Sequence, residues 1–159
     1  YKTNYKCLMP TNTFGPNDNY DALNSHFLPA LIKKVHDLRL KNKKELILWG
    51  NGLAKREVVY VDDLADACIF FMKKNFFGTT INIGSGKDFS IKEYAKKILN
   101  IIIPKNKITI KYDLSKPNGT PRKVLDIKLA NRYGWRSKTK LDEAIKKTYK
   151  NFLENNKIV

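Results

Sequence analysis

The sequence predicts an α/β fold, a small mixed sheet with helices packed beside it, and three observations carry that reading. Runs rich in β-branched and aromatic residues alternate with runs whose apolar residues recur at helical spacing. Glycine-rich turns such as Gly50-Asn51-Gly52 and Gly84-Ser85-Gly86 punctuate the alternation. The 159 residues, 42% hydrophobic and 29% charged, suit one compact core, and neither an internal repeat nor a low-complexity segment interrupts them. Several strand-like runs are short and their connections uneven, which favours a mixed sheet over a regular parallel one.

In chain order, "YKCLMP" alternates and closes on proline, the pattern of a short strand feeding a loop, here "TNTFGPNDNYDALN". From Ser25, Leu28, Leu31, Ile32, Val35 and Leu38 fall at helical spacing, with Pro29 tolerated in the first turn. "ELILWGNGLAKREVVYVDD" reads as strand, glycine turn and strand. Asp62 or Asp63 is placed to cap the next helix, whose face Leu64, Ala67, Cys68, Phe71 and Met72 reads as core. "TTINIG" is a short strand, and Ser90 with Glu93 has capping-box spacing at the head of "SIKEYAKKILNII". "KITIKYD" supplies another strand, "DIKLANRYG" a short helix closed by Gly134, and "KLDEAIKKTYKNFLENN" a last helix burying Leu141, Ile145, Thr148, Tyr149 and Phe152.

No apolar run approaches the ~20 residues that span a bilayer, and "YKTNYKCLMP" lacks the apolar stretch of a signal peptide, so the chain reads as cytoplasmic. Cys7 and Cys68 have neither metal-ligand spacing nor a disulfide framework, and both read as buried free thiols; no metal site is expected. A net charge of +16 attracts anions of every class, nucleic acid included. Only five of the 31 basic residues are arginine, however, and lysine is scattered along the whole chain without a nucleic-acid-binding motif.

The chemistry the residues offer is selective in what it omits. No glycine cradle follows a strand, there is no P-loop, and "NIGSG" is as well explained by a turn into a capped helix. Trp49 ends a strand before the glycine turn and Arg56 follows it, so an aromatic plane for a base and a guanidinium for a diphosphate can share a cleft mouth; an ordinary edge tryptophan and a surface arginine are the alternative. "SKPNGTPRK" stiffens with two prolines a loop that presents Lys116, Arg122 and Lys123, either to an anion or simply to solvent. His26, at a helix start, carries the one side-chain type that ordinarily titrates near neutral pH, or serves the fold alone.

Taken together, "MPTNTFGPNDNYDALNSHFLPALI", "LWGNGLAKREVVYVDDLADA", "INIGSGKDFSI" and "SKPNGTPRKVLD" resemble, in order and spacing, the GDP-L-fucose synthase family of the extended short-chain dehydrogenase/reductases. The likeness runs from Tyr1 to about Glu154, and "NSHFLPALI" and "KPNGTPRK" are its most particular parts. It implies the C-terminal part of an NADPH-dependent GDP-4-keto-6-deoxy-D-mannose 3,5-epimerase/4-reductase. Residues 1–23 would then end the NADP-binding Rossmann layer, and 24–159 would form the substrate-binding domain, with segments returning to that layer. The family's glycine-rich cofactor turn and its catalytic tyrosine and lysine precede the matched region, so the N-terminal cofactor domain is missing and the fragment alone is expected to be inactive.

The resemblance implies that Pro10, Thr11, Asn12, Thr13 and His26 line the nicotinamide end of NADP, with Thr13 where the family usually has leucine. His26 matches the proton-transfer residue of epimerisation. Lys34, Trp49, Arg56, Asn118 and Lys123 match GDP-sugar contacts, with Asn118 where the family commonly has aspartate. The turn after Trp49 and the segment ending at Lys123 should therefore meet at one pocket. A homodimer is implied for the parent enzyme. A basic nucleic-acid-binding module and a non-catalytic interaction module are the competing readings; steeply salt-dependent duplex binding would mark the first of these.

Overall fold

The structure, a computed structural model, describes residues 5–21, 24–75, 80–105 and 107–155. Its strands are β1 (Cys7–Pro10), β2 (Asn12–Phe14), β3 (Glu45–Trp49), β4 (Lys55–Tyr60), β5 (Thr80–Ile83), β6 (Asp88–Ser90), β7 (Thr109–Asp113) and β8 (Arg122–Lys123), and its helices α1 (Phe27–Leu40), α2 (Val61–Met72), α3 (Ile91–Ile102), α4 (Lys128–Arg132) and α5 (Leu141–Asn155). The α/β class is confirmed. β1 pairs in parallel with β5, and β3 in parallel with β7. β4 is the hub: β2 pairs in parallel with Val58–Tyr60, β6 runs antiparallel to Lys55–Glu57, and β8 pairs in parallel with Lys55 and Arg56.

Two apolar clusters hold these elements together. The larger joins Leu28, Ile32 and Val35 of α1, Leu46 and Leu48 of β3, Tyr94 and Ile98 of α3, and Ile145 and Tyr149 of α5. Each side chain so buried contributes about 1.5–3 kcal/mol relative to its exposed state. The smaller joins Ala67 and Phe71 of α2, Ile81 and Ile83 of β5, Ala130 of α4 and Trp135, whose Nε1 donates to Asp66 Oδ2 at 3.0 Å.

Local signals act as read. Pro29 stands in the first turn of α1, and the Ser90–Glu93 capping box closes α3. α4 ends with Gly134 at φ +93°, its N–H donating to Asn131 O while Trp135 N–H reaches Ala130 O. α5 buries Ile145, Thr148, Tyr149 and Phe152.

Four expectations are corrected. Tyr60, not Asp62 or Asp63, is the N-cap of α2; Asp63 instead accepts from Thr139 N–H and Oγ1 at 3.0 and 2.9 Å, tying α2 to the segment before α5. Only Ala67 and Phe71 of the α2 stripe are buried among its apolar members, since the helix packs one narrow face on β5; Cys68 and Met72 are exposed. Cys7 is exposed as well, because alternation along β1 turns Leu8, not its neighbours, toward the smaller cluster. Finally, the loop after β1 contains β2, three residues recruited by β4.

Candidate functional site

A cavity of about 470 Å³ opens where β1, β2, the start of α1 and the chain after β8 meet, lined by Pro10, Thr11, Asn12, Thr13, His26, Lys123, Val124 and Leu125. Every residue expected at the cofactor end therefore lies on one cavity, together with Lys123. His26 is the N-cap of α1 and is exposed, its backbone extended at φ −65°, ψ 161°. Thr11 is locked in place: its N–H donates to Ile83 O at 2.9 Å and its Oγ1 to Glu57 O at 3.2 Å. Asn12 Nδ2 donates to the same Glu57 carbonyl at 3.1 Å, and Thr13 Oγ1 to Thr11 O at 3.2 Å. With these donors engaged on backbone carbonyls, the segment offers a ligand oxygen acceptors, which suit the carboxamide of a nicotinamide. Among the described lining residues Lys123 is the single fixed charge.

Beside the cavity the expected GDP contacts gather around the loop 115–121. Trp49 is 63% exposed, with Lys34 Nζ 5.9 Å and Lys116 Nζ 5.7 Å from its ring centroid. Lys34 also donates to Ile47 O at 3.0 Å; its withdrawal from water lowers its pKa, and Asp113 opposes that shift. Asn118 Oδ1 accepts the Asn51 N–H at 2.7 Å, and Gly50, at φ +63°, lies so close that a Cβ there would stand 2.4 Å from the same oxygen. Arg56 Nη1 donates to Thr120 O at 2.6 Å, and Arg56 pairs with Lys123 in the β4–β8 register. The turn after Trp49 thus touches the loop 115–121 through Asn118, but of these residues only Lys123 lines the cavity.

Two expectations change in emphasis. Arg122 is committed to Asp88, through Nε at 2.5 Å and Nη2 at 3.1 Å, which lowers the Asp88 pKa and raises that of Arg122. Asn118 uses its carbonyl oxygen within the protein, joining two loops. Glu57, by contrast, is missed by motif reading: a carboxylate directly before the apolar run Val58–Tyr60, within a single strand, is the signal that would have found it. It is fully buried, accepting Gly86 N–H at 2.6 Å and Leu125 N–H at 2.7 Å. A second cavity of about 300 Å³ lies between Tyr60, Lys87 and Lys140 and contains none of the expected site residues. Among the described residues no group of histidine, cysteine, aspartate or glutamate could hold a metal ion.

The model of the "NAD dependent epimerase/dehydratase family" matches residues 1–84. A probable GDP-L-fucose synthase 1 of Oryza sativa subsp. japonica is 43% identical over 147 residues, 92% of this chain and 44% of its own length. The GDP-L-fucose synthase of Escherichia coli K12 is 37% identical over 164 residues, 98% of this chain and 50% of its own. The crystal structure of a GDP-L-fucose synthetase from Naegleria fowleri bound to NADP superposes with a TM-score of 0.86 at 25% identity, covering 97% of this chain and 48% of that one. The chain spans about half the length of the curated relatives it matches.

Proposed function

We propose that this chain, which belongs to the NAD dependent epimerase/dehydratase family, is the substrate-binding half of an NADPH-dependent GDP-4-keto-6-deoxy-D-mannose 3,5-epimerase/4-reductase that makes GDP-L-fucose. The observation that carries this is the convergence of Pro10–Thr13, His26 and Lys123 on one cavity, with Arg56 the strand partner of Lys123 and, next along the chain's turn, Trp49 against Lys34. The exposed Trp49 ring stacks the guanine base, while Arg56 and Lys123, neighbours across β4 and β8, hold the diphosphate by charge-assisted hydrogen bonds. The stiff "SKPNGTPRK" loop needs little further ordering to do so.

His26 would be one partner in the proton transfers of epimerisation: a C4 carbonyl acidifies the carbons on either side of it, and an imidazole on the cavity wall can exchange a proton on the face it meets, with a second acid–base group acting on the opposite face. NADPH, when bound, supplies the hydride that reduces the C4 carbonyl. Pro10–Thr13 would pass its nicotinamide end, but no glycine cradle for its pyrophosphate occurs in the sequence. In this reading the whole enzyme's activity needs a cofactor-binding domain as well as this half. In the cytoplasm the whole enzyme would be a homodimer.

Calorimetric titration with GDP tests the reading. Saturable binding that survives moderate salt is expected, with NADPH oxidation only when the half not matched here is supplied from a relative. Indifference to GDP, alongside steeply salt-dependent affinity for an unrelated DNA duplex, would overturn it.

A further inference from the structure

Glu57 lies at the centre of β4 with its side chain fully buried, and among the described residues it makes no ion pair. A carboxylate withdrawn from water is costly unless other donors replace the lost hydration. Here two backbone N–H groups do so, and they belong to segments that do not pair with each other. Oε1 accepts from Gly86, in the turn after β5, at 2.6 Å, and Oε2 from Leu125, two residues beyond β8, at 2.7 Å. The approach depends on glycine: a Cβ on Gly84 would stand 2.3 Å from Oε1. The main chain of the same residue holds another part of the cavity lining, since Glu57 O accepts from Thr11 Oγ1 at 3.2 Å and Asn12 Nδ2 at 3.1 Å.

One residue therefore touches two parts of the wall of the 470 Å³ cavity, Thr11 and Asn12 through its backbone and Leu125 through its side chain. We propose that Glu57 is a positioning residue of the site: it fixes the separation of these two parts and so places Lys123, two residues before Leu125, against an anionic ligand. This rests on the reading above that Lys123, on the rim of the cofactor-end cavity, holds the diphosphate of the GDP-sugar. The carboxylate suits the task because each oxygen meets an N–H. A glutamine would turn its NH2 toward one of those donors, and an aspartate is a methylene too short to reach both.

The test compares the chain with Glu57→Gln and with Ile98→Val, which trims the larger core at a residue that does not line the cavity. GDP dissociation constants, melting temperatures and amide exchange at Gly86 and Leu125 are measured for each. Glu57→Gln should weaken GDP binding tenfold or more and release the Leu125 amide to exchange, while Ile98→Val lowers the melting temperature and leaves affinity unchanged. GDP affinity that stays the same in Glu57→Gln, or that follows melting temperature alike in both variants, would overturn the proposal. Should Glu57→Gln not fold, the α-hydroxy analogue of leucine at position 125 removes the N–H donor and leaves the carboxylate in place, with the same loss of affinity expected. If the unaltered chain ignores GDP while Glu57→Gln still frees the Leu125 amide, the GDP-sugar reading fails and the wall-fixing role stands.

Discussion

Arg122 and Lys123 are neighbours in β8 with different tasks, and the difference is measurable. Lys123 lines the cavity, whereas Arg122 grips Asp88 with two nitrogens. Lys123→Ala, or Arg56→Ala across the strand pair, should weaken GDP binding by about 1–3 kcal/mol, the range for a hydrogen bond to a charged group, measured by calorimetry. Arg122→Ala should lower the melting temperature and spare GDP affinity. His36 makes a separate prediction about pH. It is buried, with Nδ1 2.9 Å from Tyr149 Oη and its ring edge-on to Phe152, while among the described residues Nε2 has no hydrogen-bond partner. Burial lowers its pKa from the usual 6.5; Asp37 pulls it up, and Arg39 and Lys33 push it further down. The neutral form is thus the folded form. Its contribution is complete above pH 6.5 and is lost as pH falls through the lowered folded value. Melting temperature should decline from pH 7 toward pH 5, and His36→Gln should flatten that decline.

At the scale of elements, α3 owes its start to a reciprocal pair: Glu93 N–H donates to Ser90 Oγ at 3.2 Å, and Ser90 N–H to Glu93 Oε2 at 2.7 Å. Ser90→Ala should cost about 1 kcal/mol, read as a lower urea midpoint at unchanged slope. Such signals were legible because both partners lie within one turn. The same holds for Pro29 in α1, Gly134 after α4 and the inward face of α5. The reading failed where a distant partner decides. Asp63 has cap spacing, but Thr139, 76 residues on, takes its carboxylate. The Gly50–Gly52 turn is flanked by strands as a hairpin would be, yet β3 pairs with β7 and β4 with β2, β6 and β8. Asn118 fills that turn instead, and β2 exists only because β4 offers it a ladder.

Across the whole molecule, chemistry was legible by residue type and family likeness, and geometry was not. Nothing in the spacing of Thr11, His26 and Lys123 says that they share a cavity; the β4 hub brings them together by pairing with strands from three parts of the chain. The same topology leaves surface uncovered. Among the described residues β1 pairs only with β5, with Cys7 and Met9 exposed, and the outer flank of α2 exposes Cys68, Ile69 and Met72. A strand open along one edge is a template for another strand, and exposed apolar side chains on its flanking helix favour a covering partner. The curated relatives are about twice as long as their match to this chain, so the unmatched half of such a relative is the partner predicted for β1. Both cysteines of the isolated chain should react rapidly with a thiol reagent. Adding that half should slow labelling of Cys7 at least several-fold, because a strand laid along β1 and its connecting chain would shield the thiol. Unchanged labelling of Cys7 at saturating partner would show that the open edge of β1 is not where the two halves meet.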